Sequence, residues 1–163
     1  MVTTLNEDGR SNVAPKSWIS MMMFDPPLLA LGCNREHWTA RNILRSGEFV
    51  VNVPGDDLAH VVWKASALPH PRPVEAAGLT PLPAERVSAP RIEECRAHLE
   101  CTLAEHLTFG NEVIFLGRIL AVSVDEGAFE TADPYAYLRM FAFLEPGTYG
   151  VIEKAVKTGS SHV

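Results

Sequence analysis

Ala97, Leu99, Cys101 and Leu103 alternate with His98, Glu100 and Thr102, the two-residue period of a half-buried strand. The surrounding CRAHLECTLAEHLTF (95–109) leads into a hairpin turn at Gly110-Asn111 and returns through EVIFLGRILAVSVD (112–125). This second arm is apolar on both faces around Gly117, as expected of a strand buried on both sides or at a subunit interface. Residues 1–5 read as a strand entered without lead-in, as in a truncated start, and NEDG (6–9) carries the Asp-Gly signal of a tight hairpin. SNVAPKSWISMMM (11–23) is extended but irregular. Pro15 has no N–H for a ladder, so an edge, a bulge or a ligand-facing break is expected there. Beyond Pro26-Pro27, LLALGCN (28–34) and FVVNV (49–53) read as short apolar strands, and RMFAFLEPGTYGVI (139–152) as a strand with a turn at Pro146-Gly147.

Two stretches change period. Between Thr39 and Ser46, Ala40, Ile43 and Leu44 form one apolar stripe that Gly47 stops, which predicts a short helix capped by Thr39. With Asp56 or Asp57 as N-cap, Leu58, Val61, Val62 and Ala65 fall at i, i+3, i+4 and i+7 of a second helix. Residues 69–91 carry six prolines and keep no period. They read as a surface excursion of a single domain spanning 1–163: a passive insertion, a lid or a dimer-clasping arm. Six or seven mostly antiparallel strands with two short helices predict a mainly-β fold, a small barrel flanked by helices.

Composition narrows the function. A net charge of −6 without any basic run argues against a general nucleic-acid binder. No apolar run approaches the roughly 20 residues of a membrane span, and the chain turns polar by its sixth residue, unlike a secretory signal. A cytoplasmic location is expected. The three cysteines form no CxxC pair and read as free thiols. Cys95, His98 and Cys101 superficially resemble metal ligands, but the strand period accounts for them and no metal is expected.

Within this acidic chain, Arg35, His37, Arg41 and Arg45 gather around HWTARNILRSGEF (37–49). They are either the solvated face of an ordinary helix or an anion site at its first turn. There, free N–H groups and the dipole would hold a phosphate, with Arg35, Arg41 and Asn42 adding charge and hydrogen bonds. The broken strand adds Asn12, Lys16, Ser17, Trp18 and Ser20, polar and aromatic groups around unpaired backbone that suits a planar heterocycle. Trp18 and Met21 to Met23 suit a core equally well, and Lys16 a solvated surface. No G-x-S-x-G, HExxH, GxGxxG or P-loop pattern occurs. His106 is the best acid or base candidate, with a strand-end structural role as its alternative.

In order, VTTLNEDGRSNVAPKSW (2–18), FDPPLLALGCNR (24–35), TARNILRSGEFVVNVP (39–54) and GNEVIFLGRILAVSVDEG (110–127) resemble the flavin reductase-like family of FMN-binding split barrels, which includes flavoredoxin. The resemblance implies a split β-barrel forming a homodimer, with FMN near the subunit interface. It places Ala14, Pro15, Lys16, Ser17 and Trp18 along the isoalloxazine, and Asn34, Arg35, Thr39 and Asn42 at the ribityl phosphate. Many members carry Gly-Asp-His where this chain has Gly110-Asn111-Glu112, so a carboxylate stands on the substrate side in place of an imidazole. That negative charge would disfavour an anionic reduced flavin and NAD(P)H. The implied activity is NAD(P)H-dependent hydride transfer to flavin N5, then reduction of a free flavin, a ferric chelate or a protein acceptor. The alternatives are an FMN electron carrier without nicotinamide activity, or a non-catalytic dimeric barrel binding flavin or haem.

Overall fold

The computed structural model describes residues 1–154. In chain order, β1 (Val2–Leu5), β2 (Ser11–Ala14), β3 (Ile19–Phe24) and β4 (Pro27–Asn34) precede α1 (Trp38–Ser46) and β5 (Glu48–Val53). Next come α2 (Ala59–Ala67), the two-residue strands β6 (Pro81–Leu82) and β7 (Arg91–Ile92), and the long hairpin β8 (Ala97–Phe109) and β9 (Glu112–Val124). The described chain ends with α3 (Gly127–Glu130), α4 (Pro134–Leu138) and a second hairpin, β10 (Phe141–Glu145) and β11 (Thr148–Val151).

Seven strands form one sheet in the order β2-β1-β5-β8-β9-β4-β3. The strands β2 and β3 are therefore opposite edges, yet only residues 15–18 join them. An extended chain from residue 14 to 19 reaches about 18 Å at most. The sheet must curl until its edges nearly meet, and the link carrying Pro15 crosses the seam of this open barrel. The barrel interior holds Val2, Leu29, Leu31, Phe49, Val51, Cys101, Val113, Phe115 and Ile119, closed at one end by Ala40 and Ile43 of α1. Opposite Phe49 the chain has Gly117, where a β-carbon would lie 2.4 Å from Phe49 Cζ. That close approach explains the glycine within an otherwise bulky strand.

The outer face of the sheet is divided. Over β5 and β8 it is covered by residues 74–92, whose Val87 and Ala89 pack on Val50, and whose Ile92 and Val74 join Met1, Val13 and Val62 of a second core. Polar side chains clip this cover down. Asn52 Oδ1 accepts from Ile92 N–H at 2.9 Å, and His98 Nε2 meets the Ile92 carbonyl at 2.8 Å. The Glu100 carboxylate accepts from Glu85 N–H at 3.0 Å and Arg86 N–H at 2.7 Å. The excursion expected over 69–91 is thus packed against the sheet along much of its length. Along β9 and the far end of β8 no other described segment covers the outer face, where Leu107 and Ile114 are exposed and paired across the strands, with exposed Glu105, Glu112 and Arg118 around them.

Both helix starts correct the expectation. In α1 the capping residue is His37, in extended conformation, and Thr39 sits inside the first turn. An Asx turn upstream sets this start: Asn34 Oδ1 accepts from Glu36 N–H at 2.9 Å. The α1 stop is as expected, with Gly47 left-handed at φ 72°. In α2 neither aspartate caps; a 3-10 turn over Asp56–Leu58 leads in, Asp56 pairs with Arg139 and Asp57 with Arg96. The unforeseen α4 is capped by Asp133, whose carboxylate accepts from Tyr135 and Ala136 N–H at 3.1 Å. Its Asp-Pro start was readable in the sequence.

Candidate functional site

The seam link, the end of β4, the start of α1 and the start of β9 converge on a cleft of about 360 Å³. Pro15 to Trp18 form one wall, Gly32 to Asn34 the floor, and His37 and Glu112 the far side. Trp18 is 67% exposed and rests on Gly32, whose N–H donates to the Trp18 carbonyl at 2.8 Å. Lys16 Nζ is 3.0 Å from His37 Nδ1, and the Cys33 thiol lies 3.7 Å from the same nitrogen. Across the cleft Asn34 Nδ2 donates to Glu112 Oε1 at 3.1 Å. Burial, then the neighbouring Lys16 charge, holds the His37 pKa below its ordinary value. Burial likewise pushes the Cys33 thiol up, so at neutral pH it is a protonated, weak nucleophile.

Six of the expected site residues therefore meet here: Pro15, Lys16, Ser17, Trp18, Asn34 and Glu112. Ala14 precedes them, buried in β2. Arg35 and Asn111 lie beside the cleft in a hollow they share with Arg41, and Arg35 N–H donates to the Asn111 carbonyl at 2.8 Å. Asn42 is turned inward, its amide donating to Thr4 Oγ1 and Asn6 Oδ1 at 2.9 Å, and does not join the cleft. Thr39 is buried, and among the described residues its Oγ1 has no hydrogen-bond partner. His106 lies outside the cleft with its ring 6.4 Å from that of Phe115. The sequence reading missed Gly32 and Cys33 as cleft residues and took His37 only as part of a basic cluster. Lys16 and His37 are 21 residues apart with no shared period, so no local signal pairs them.

A second cavity of about 450 Å³ shares Pro15 to Ser17 and is walled by Trp63, Phe141, Phe143 and Tyr149. Among the described residues no three His, Cys, Asp or Glu side chains gather as a metal site. No helix there is long and apolar enough to cross a membrane. The first N–H groups of α1, at Trp38 and Thr39, precede the first helical hydrogen bond, which Arg41 N–H makes to His37. A cation, an indole, free N–H groups and an orphan hydroxyl suit a planar ligand with an anionic tail, as in FMN.

The flavin reductase like domain matches residues 1–142. The uncharacterized protein YwrF of Bacillus subtilis (strain 168) is 34% identical over 146 residues, or 82% of this chain and 71% of the relative. Nitrilotriacetate monooxygenase component B from Bacillus cereus shares the fold with a TM-score of 0.87 at 25% identity, over 96% of this chain and 84% of that one. Flavoredoxin of Desulfovibrio vulgaris (Miyazaki F) also reaches 0.87, at 23% identity over 99% of this chain and 89% of that one. The seam-crossing link and seven-stranded sheet are thus those of a split barrel, and the chain belongs to the flavin reductase-like family of flavin-binding oxidoreductases.

Proposed function

We propose that the chain binds FMN across the barrel seam and acts as an FMN-dependent reductase. The observation that carries this is the convergence of Lys16, Ser17 and Trp18 from the seam link with Asn34 and His37 from the head of α1 in one cleft. Trp18 and the backbone of residues 15–17 would line the ring. The α1 start, with Arg35 and Arg41 beside it, would supply donors and positive field to the phosphate. When bound, FMN would supply the redox chemistry, with NAD(P)H as hydride donor and a free flavin, a ferric chelate or a protein as acceptor. The chain's own residues bind, orient and shield; no side chain is required as a general base, in keeping with the high thiol pKa of Cys33.

Glu112 favours a second reading. Its carboxylate, held by Asn34, puts negative charge at the cleft edge, against an anionic co-substrate. An electron carrier that takes electrons from another protein avoids that repulsion. In either reading the protein works as a homodimer. The outer face around Leu107 and Ile114 borders Gly32 and Trp18 through the β4–β9 register, and a second copy would bury it.

The test is the visible spectrum of protein supplied with FMN and desalted, followed by anaerobic NADH or NADPH. Retained flavin bands that bleach support the reductase. Retained bands that persist favour the carrier, and a colourless protein rejects both. Sedimentation reads the dimer independently.

A further inference from the structure

We propose that His37 is a positioning residue that fixes the Lys16 ammonium in the seam cleft by accepting a hydrogen bond from it at Nδ1. An ammonium has donors and no acceptor, so at 3.0 Å the imidazole nitrogen must be the unprotonated one. The remaining proton is then on Nε2. This tautomer matters because an imidazolium offers no acceptor and would repel Lys16 instead. His37 is itself firmly placed: its N–H donates to the Asn34 carbonyl at 3.1 Å, and its own carbonyl accepts from Arg41 N–H at 3.1 Å. The flexible lysine is thereby tied to the head of α1, across a seam that strand pairing leaves open.

Lys16 borders both the 360 Å³ cleft and the 450 Å³ aromatic cavity, so its tether decides where the positive charge stands between them. The groups facing His37 come from every side. They are Lys16 on the link, Cys33 on β4, Glu36 before α1, Glu112 on β9, and His70 and Arg72 on the 69–91 excursion. Arg72 is held away by donating to the Leu68 and Ser66 carbonyls, each at 2.7 Å, which leaves Lys16 as the cation within hydrogen-bond reach of the imidazole. Burial and Lys16 both favour the neutral ring. Acidification through the His37 titration therefore breaks the pair and frees the lysine, which makes the cleft's charge pH-dependent. Resting on the FMN reading, the same tether sets how strongly Lys16 stabilises the reduced, more negative cofactor.

The pair is tested first in the cofactor-free protein by 15N NMR of the histidine rings. The expected result is an Nε2–H tautomer for His37 and an upward move of its titration midpoint in Lys16→Met. An Nδ1–H tautomer, or a midpoint unmoved by Lys16→Met, overturns the proposal whether or not FMN binds. The second arm is the midpoint potential of the FMN-loaded protein. His37→Phe should lower it as far as Lys16→Met does, the double variant should fall no further, and His37→Gln, which keeps an acceptor, should restore it. Additive losses would show that His37 acts on its own and overturn the positioning role. Failure to bind FMN would remove the site reading while the NMR arm still decides the pair.

Discussion

Trp18 rests on Gly32 so closely that a methyl group at position 32 would stand 3.2 Å from both Trp18 Cβ and Cε3. Glycine is what allows the seam link to lie on β4, because any side chain there lifts the indole off the strand. Since the indole is mostly exposed, Gly32→Val should cost little stability, within about 1 kcal/mol. It should instead weaken FMN binding and the FMN quenching of Trp18 fluorescence. Equal losses of stability and binding would show that the contact serves folding alone.

The pairing of Gly117 with Phe49 predicts the opposite balance. A β-carbon 2.4 Å from a fully buried ring has no solvent to retreat into. Gly117→Ala should destabilise by about 1–3 kcal/mol in chemical denaturation, and Phe49→Leu in the same chain should recover part of that loss.

Glu100 is 2% exposed and holds the 85–86 backbone through its carboxylate, with Arg91 Nε at 3.8 Å. Glu100→Ala strands those amides, at a cost of about 3 kcal/mol, while Arg91 keeps its bonds to the Pro83 carbonyl. Trypsin should then cut at Arg86 faster, while Glu100→Gln, retaining one acceptor oxygen, should lie between Ala and the native chain.

Thr39 carries a buried hydroxyl with no partner among the described residues. Thr39→Val keeps the shape and removes the orphan, so the apoprotein should gain about 1 kcal/mol, or roughly 2–4 °C in Tm for a chain of this size. If the hydroxyl turns to the phosphate when FMN binds, the same variant should lose FMN affinity. A stabilised protein with unchanged affinity would remove Thr39 from the site.

Acid should destabilise the fold early. His98 is held neutral between Ile92 and Ser123, and burial lowers its pKa, as it does for His37 and His70. In the unfolded chain these rings titrate near 6.5. Below that pH the unfolded state binds protons the native state resists, so stability falls as pH drops from about 6.5 towards the lowered native values. The paired aspartates Asp56 and Asp125 have lowered pKa values and add their loss only below about pH 4. Tm followed from pH 7.5 to 5 should show the histidine step, and His98→Gln should flatten it.

The sequence by itself determined the strands, their hairpins and the stop of α1, because alternation, Asp8-Gly9, Gly110-Asn111 and Gly47 act between near neighbours. It also placed the break at Pro15, whose missing N–H is a property of that residue alone. Tertiary structure decided what those pieces meet. His98 and Glu100 have the period of a solvated strand face, yet they are 9% and 2% exposed because residues some ten positions upstream fold over them. Thr39 has the chemistry of a cap, but the Asn34 turn begins the helix earlier and buries it. Asn42, equally placed on paper, faces Thr4 and Asn6 because the inward side of α1 must satisfy the polar end of β1. Lys16 finds His37 only because the sheet curls until its two edges nearly meet. That curl is set by the sum of many strand pairings, and no local spacing records it.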